Sequence, residues 1–325
     1  MYSMSININL EIEKLTTQYN NALKSLAQQL TNNINIINKY RVSNSIKNMM
    51  INNLRITYNN NVARLTKEYN MKKQQLQNTN NKSALLVGIN YRGTPYELYG
   101  CINDTTNCKE MLQTKYGYNN FIVITDETNK KPTRQTIISE LTNLLRNSKS
   151  GDKLFFLFSG HGTSFRDQNG DETDNQDEVI VPLDLNCIID DELFNIIKNN
   201  LKTNVTLFML FDCCFSGTIC DLKYNHLPNT FENNVELTNG NVIVISGCKD
   251  NQTSADAFVS YNGKDMSAGA MTFSFLQSIT ESPDTSLRSL LENMRNILNT
   301  NGFDQIPQLS SGKQIDINML VKDIL

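Results

Sequence analysis

Two short stretches of this chain hold the residue types that covalent catalysis by a cysteine requires. Phe158-Ser159-Gly160-His161-Gly162 closes one apolar run, and Phe211-Asp212-Cys213-Cys214-Phe215-Ser216-Gly217 closes another. A cysteine attacks a carbonyl as its thiolate, so it needs a base to take its proton or an ion-pair partner to keep it ionised. Histidine is the side chain whose pKa suits that task near neutrality, and one of the two histidines in the chain is here. The flanking glycines let the backbone turn tightly and aim N–H groups at a developing oxyanion. Taken one at a time, these residues read as a core histidine and two buried thiols, since free cysteine is among the most buried residue types. Together, at the ends of two strands and each beside Gly and Ser, they point to a catalytic dyad.

The elements that must position them are legible from Ser83 onward. ALLVGI (84–89), NFIVIT (120–125), KLFFLFS (153–159), VTLFMLF (205–211) and NVIVIS (241–246) are short, apolar and followed by turn or polar residues. They read as strands buried on both faces. Amphipathic stretches at about 103–116, 133–147 and 190–201, with two more after Gly269, alternate with them. Strand, helix, strand in succession predicts an α/β domain with a mostly parallel sheet covered on both faces. Ligands gather at the carboxyl ends of such strands.

Residues 1–82 differ in texture. They carry eleven Lys/Arg against three Asp/Glu, a net +8, while the rest of the chain carries −11. The first Gly is Gly88 and the first Pro is Pro95, so nothing here punctuates a helix. Apolar residues recur at steps of three and four from Leu15 to Ile37 and again from Ile46 to Tyr69. The pattern predicts two helices folded back at Arg41-Val42-Ser43-Asn44, or one long coiled-coil-like helix. The Lys/Arg are scattered without interleaved aromatics, which predicts a solvated face and no specific nucleic-acid partner.

The remaining composition excludes several classes. Apolar residues make up 39% and charged residues 19% of 325, as in globular proteins and unlike disordered or collagenous ones. No apolar run reaches the ~18 residues of a membrane span, and the N-terminus lacks a signal-peptide pattern. The seven cysteines (101, 108, 187, 213, 214, 220 and 248) are odd in number and form no C-x-x-C pair. Reduced thiols in a cytoplasmic protein are expected. His226, in KYNHLPNTFENN, reads as part of a surface linker.

SGHG followed some fifty residues later by DCCFSG resembles the metacaspases, caspase-like cysteine peptidases of family C14. YGCIND (99–104), DEVIVPLD (177–184), IIDDEL (188–193), SGCKDNQTSADA (246–257), GAMTFSFL (269–276) and QIPQLS (305–310) resemble metacaspase segments in the same order. The resemblance implies a caspase-like fold over residues 83–325, with a large-subunit-like part (83–221), a linker (222–240) and a small-subunit-like part (241–325). It resembles the compact type I arrangement with helices in place of the Pro-rich or zinc-finger prodomain. The nucleophile falls on Cys214 and the base on His161, with backbone N–H groups of Gly162 and Cys214 as the oxyanion site. Cys213 occupies a position often held by serine, and adjacent strand residues point to opposite faces, so one of the two cysteines suffices. Phe215 replaces a frequent histidine.

The positions matching the family's S1 pocket are Cys101, Asp104, Ser159 and Asp212. Two carboxylates bind a cation and repel an acidic side chain, so cleavage after Arg or Lys is expected. The competing reading makes Asp104 a cap of its own helix and Asp212 a plain strand end. Residues 165–192 hold ten acids against one Arg. The run from Asp167 through Asp171 to Glu178 imitates an EF-hand loop, but Glu172 stands where its glycine belongs. The resemblance instead implies activating calcium at Asp177, Asp190, Asp191 and Asp221, a set of hard oxygen ligands. A monomer is expected, although the N-terminal helices could pair chains. Self-cleavage near Arg64, Lys72, Lys73 or Lys82 would make the chain a zymogen. The rival is a catalytically silent scaffold assembling through its N-terminal helices.

Overall fold

The computed structural model describes residues 2–77, 81–166, 176–214, 219–226, 229–231, 237–247, 256–261 and 263–325. The chain forms two compact units, residues 1–79 and 80–325.

The first unit is an antiparallel pair of helices, α1 (Tyr2–Asn38) and α2 (Asn44–Gln77). The break falls at the polar stretch, where the Ser43 hydroxyl accepts the Ile46 N–H at 3.4 Å and helps start α2. Tyr19 stacks on Tyr69 with centroids 4.4 Å apart, and their hydroxyls bond Thr66 and Thr16 across the pair. Among its described residues, Ile37 is the single buried hydrophobic side chain, so the seam between the helices is thin. Arg64, Lys72 and Lys73 lie inside α2.

The second unit is built on β1 (Lys82–Gly88), β2 (Asn120–Thr125), β3 (Lys153–Ser159), β4 (Gly162–Arg166), β5 (Gln176–Ile180), β6 (Ile188–Ile189), β7 (Thr206–Asp212), β8 (Tyr224–His226), β9 (Asn229–Phe231), β10 (Asn241–Gly247), β11 (Asp256–Tyr261), β12 (Lys264–Gly269) and β13 (Pro307–Ser311). The helices are α3 (Cys101–Tyr116), α4 (Arg134–Arg146), α5 (Asp190–Asn200), α6 (Ala270–Glu281), α7 (Leu287–Thr300) and α8 (Val321–Ile324). Among the described residues the main sheet runs β2-β1-β3-β7-β10-β13-β8-β9. The first five strands, the five apolar runs of the sequence, are mutually parallel. β13, β8 and β9 add on antiparallel.

Alternation along each strand divides the core in two. Ala84, Leu86, Phe155, Leu157, Phe208, Leu210, Ile243 and Ile245 join Met111 and Leu112 of α3, Phe275 of α6 and Leu291 of α7 on one face. Leu85, Val87, Phe156, Phe158, Met209, Phe211 and Val244 meet Ile137 and Leu141 of α4 and Leu193 and Ile197 of α5 on the other. Two packed faces make the parallel strands continuous apolar runs. Phe155, Phe208 and Phe275 form an aromatic cluster, with Phe155 and Phe208 stacked at 5.6 Å. α3 approaches β1 so closely that a Cβ on Gly88 would lie 2.6 Å from Thr105 Cγ2, which is why glycine ends that strand.

Two small antiparallel sheets, β4-β5-β6 and β11-β12, stand apart from the main one. Lys82 is not in an exposed junction. Its Nζ donates to the Tyr116 carbonyl at 2.8 Å, and its backbone begins the β1 ladder.

His226 corrects the surface-linker expectation. It is 6% exposed at the end of β8, and its segment is paired to β13. The Ser311 hydroxyl donates to the Lys313 carbonyl at 2.5 Å, so it must accept from His226 Nε2–H at 2.7 Å. Burial lowers the pKa of His226 below its ordinary 6.5. The unfolded chain therefore binds a proton there that the folded chain resists, and stability is lost as pH falls from about 6.5 through the folded pKa. In urea unfolding between pH 7 and pH 5, His226→Gln is expected to lose less stability than the wild type. Equal losses would show that the ring takes up its proton alike in the folded and unfolded chain, which would refute the lowered pKa.

Candidate active site

Hydrogen-bond register sets the geometry. Ser159 of β3 and Asp212 of β7 are partners in a parallel ladder, whose strands lie about 4.8 Å apart. Gly160 N–H donates to the Asp212 carbonyl at 3.2 Å, which carries the pairing one step further. His161 and Cys214, each two residues beyond a register partner, thus leave the sheet at the same level of adjacent strands. A Cβ on Gly162 would overlap the Cys214 carbonyl oxygen and lie 3.2 Å from Cys213 Sγ, so glycine lets the two loops touch. Cys213 is packed into the apolar core beside Phe211 and Ile219, whereas Cys214 belongs to neither core face.

The imidazole of His161 is held by main-chain groups. Its Nε2 lies 2.8 Å from the Tyr96 carbonyl oxygen. A carbonyl can only accept, so Nε2 carries the proton and Nδ1 is left as the ring's acceptor. Tyr91 packs its ring against the imidazole at 4.7 Å, and Tyr96 meets it edge-on at 6.4 Å. Val181 N–H donates to the His161 carbonyl at 3.0 Å, which makes Gly162↔Ile180 the next pair of the β4–β5 ladder. Bonded and non-bonded pairs alternate in antiparallel ladders, so the Gly162 N–H is turned away from β5.

The four pocket candidates come together and are closed off: Cys101 is 3%, Asp104 0%, Ser159 1% and Asp212 1% exposed. Asp104 does not cap its own helix, whose N-cap is Gly100 without a side-chain bond. Its Oδ2 accepts the Ser159 hydroxyl at 2.7 Å, and both its oxygens accept the Gly269 N–H at 3.1 Å. Asp212 Oδ2 accepts the Thr272 N–H at 2.7 Å. Gly269 and Thr272 are the N-cap and third residue of α6. Two acids therefore meet the positive end of one helix, which stabilises their charge and satisfies donors the helix leaves open.

The acidic positions converge in part. Carboxylate oxygens of Glu178, Asp190 and Asp221 lie within 4.8 Å of one another. Asp177 and Asp191, expected from the sequence, fall outside that group. Asp177 is the neighbour of Glu178 on β5, and it is close enough for its charge to act on Asp190. Asp191 follows Asp190 at the start of α5 and gives its N–H to Asp190 Oδ1 at 2.8 Å. Asp190 Oδ2 accepts the Glu178 N–H at 2.6 Å. Burial pushes the Asp190 carboxyl up to about 6, with Asp177 adding to the rise, while hydrogen bonding to the Glu178 side chain and these two N–H bonds oppose it. Three buried or half-buried carboxylates are hard oxygen donors, a set that fits calcium.

Burial drives the thiols of Cys108 and Cys220 well above the ordinary range and raises that of Cys187, which fits inert structural cysteines. Phe215, Ser216, Gly217, Cys248 and the imitation EF-hand run Asp167–Asp171 lie outside the described residues. Glu178, Tyr91 and the Tyr96 carbonyl were missed by sequence reasoning. Strand alternation could have flagged Glu178; a carbonyl leaves no signal.

A cysteine and a histidine at the carboxyl ends of adjacent strands in a parallel sheet define a caspase-like cysteine peptidase. The family profile described as metacaspase, peptidase C14 domain matches residues 82–223. Metacaspase-1 of Meyerozyma guilliermondii is 34% identical over 75% of this chain and 73% of its own length. Metacaspase-1 of Saccharomyces cerevisiae is 35% identical over 76% and 70%, and Metacaspase-2 of Trypanosoma brucei brucei 36% over 72% and 74%. The crystal structure of a Geobacter sulfurreducens protein superposes with a TM-score of 0.54 at 22% identity, covering 73% of this chain and 95% of that one. The chain belongs to the metacaspase family and is a cysteine-type peptidase.

The bond from Thr272 makes Asp212 a stabilising residue in its own right. Asp212→Ala is expected to lower unfolding free energy by about 1–2 kcal/mol, the range of a lost helix cap, in urea titrations without substrate. Asp212→Asn keeps an acceptor and should lose less. Unchanged stability in both would refute the capping role.

Proposed function

We propose that this metacaspase is a calcium-stimulated endopeptidase that cuts after Arg or Lys through a Cys214–His161 dyad. The register of Ser159 with Asp212, which brings both residues out of the sheet side by side, is the observation that carries it. His161 Nδ1 takes the Cys214 proton, and the thiolate attacks the scissile carbonyl. The oxyanion is held by the N–H groups of Gly162 and Cys214. The imidazolium then protonates the leaving amine, and water admitted to the acyl-enzyme completes hydrolysis.

Asp104 and Asp212 are the acids that would receive a basic side chain. In this structure they are buried and bonded to the first turn of α6, so a substrate cation must exchange with those donors. A closed pocket supports an enzyme that awaits activation. Glu178, Asp190 and Asp221 would hold calcium, with Asp177 and Asp191 beside them, and the ion would supply charge neutralisation there, remote from the bonds that break. Of the four candidate self-cleavage positions, three lie within α2 and Lys82 lies in β1, so cutting there requires local unfolding.

Fluorogenic peptides ending in Arg, Lys or Asp, with millimolar calcium or a chelator, test the proposal. Turnover of Arg or Lys peptides is expected with calcium, and it should vanish with chelator and in Cys214→Ala. Cleavage after Asp would overturn the pocket assignment, and no turnover of any peptide would favour a silent scaffold. Calorimetry reads the ion directly: Glu178→Gln should weaken calcium binding at least tenfold, and an affinity equal to wild type would remove Glu178 from the site.

A further inference from the structure

The pairing of His161 with β5 departs from a regular antiparallel ladder at one place. Gly162 lies opposite Ile180, so the register puts His161 opposite Val181. A bonded pair of this kind exchanges two N–H···O=C bonds. One is present, from Val181 N–H to the His161 carbonyl at 3.0 Å. The return bond is interrupted by a hydroxyl: His161 N–H donates to Tyr91 Oη at 2.9 Å, and Tyr91 Oη–H donates to the Val181 carbonyl at 2.5 Å. An oxygen atom is thus inserted into the return bond at His161, the residue just before β4.

Tyr91 is held for this position from several sides. It is fully buried, and its backbone takes φ +49°, a conformation that a bulky side chain rarely adopts. The neighbouring Asn90 and Arg92 give their N–H groups to Asp126 Oδ1 and Oδ2 at 2.8 and 3.1 Å, which clamps the strained residue. Gly160 leaves room for the hydroxyl, because a Cβ there would lie 2.9 Å from Oη. Burial holds the phenol well above its ordinary pKa, so it stays protonated and can donate and accept at once. The same ring packs against the imidazole. A buried tyrosine needs one partner to be satisfied; this one bridges the backbone of the histidine.

We propose that Tyr91 is a positioning residue for His161, its inserted hydroxyl fixing the histidine backbone while its ring and the Tyr96 carbonyl fix the imidazole. The inference rests on the dyad of Cys214 and His161. Its consequence is that loss of one oxygen atom loosens the base without removing it.

The test follows kcat and KM on the calcium-activated full chain, together with iodoacetamide alkylation of Cys214 against pH, read by peptide mass. In the wild type the alkylation midpoint should lie below the ordinary thiol value of about 8.5. Tyr91→Phe is expected to raise that midpoint and to lower kcat about tenfold, a fraction of what a general base contributes, with KM within about twofold. Asp126→Ala, at a half-buried position, should move the midpoint the same way and serves if Tyr91→Phe does not fold. A merely structural tyrosine would lower the melting temperature and leave midpoint and kcat at wild-type values, which would overturn the inference. His161→Ala separates the two claims. If its midpoint equals that of the wild type, the dyad falls and the inference with it; if it rises while Tyr91→Phe stays wild type, the inference alone falls.

Discussion

Two buried acids side by side are costly unless each is matched by donors. Asp104 and Asp212 are both at most 1% exposed, and their donors come from three other elements: the Ser159 hydroxyl at the end of β3, the Gly269 N–H before α6 and the Thr272 N–H in its first turn. The carboxylates are themselves on α3 and β7. Removing either acid would leave donors of a buried helix end without partners, and removing the helix end would strip each acid of a backbone donor. The arrangement therefore ties α3, β3, β7 and α6 together at the carboxyl edge of the sheet. The acids proposed to receive a substrate cation are the same ones that hold the fold at that edge, so cation recognition there would compete directly with local cohesion.

That edge is fixed because the strands behind it cannot slide. Residues 154–158 of β3 and 207–211 of β7 all point into one of two apolar faces, and a shift by one residue would exchange Phe155 with Phe156 and Phe208 with Met209 between them. Register locked by the core is transmitted two residues past the last pair, to His161 and Cys214. Precision in the loops is thus inherited from packing, and the glycines at 160 and 162 are what allow the loops to use it at such close approach.

The parallel half of the fold was legible in the sequence for the same reason. Strands buried on both faces are continuous apolar runs, and the amphipathic stretches between them became α3 to α7 within a few residues. The antiparallel additions were not legible. β5 carries Asp177 and Glu178, and β8 carries Asn225 and His226; their strand character comes from a partner and not from composition. His226 looked like a linker residue because its burial depends on Ser311, 85 residues later. The competing reading of Asp104 as a cap of α3 stayed open beside its pocket assignment, since spacing cannot reveal that Gly269 lies across from it. That Glu178 stands with Asp190 and Asp221 depends on which face of β5 meets α5, a question of pleat direction that the letters alone leave open.

β5 is where the acidic group and the histidine share backbone. Glu178 stands with Asp190 and Asp221, and three residues on, Val181 gives its N–H to His161 and its carbonyl to Tyr91. β5 is paired only to β4 and the two-residue β6 among the described residues, outside the main sheet, and only its Ile180 end joins the core face of α4 and α5. A strand so placed draws its order from what its side chains meet. Uncompensated carboxylates on one end would repel, and a cation among them would draw β5, α5 and the segment at Asp221 together. The ladder to His161 runs along that strand, so the order of the acidic group and the position of His161 are consequences of the same few hydrogen bonds.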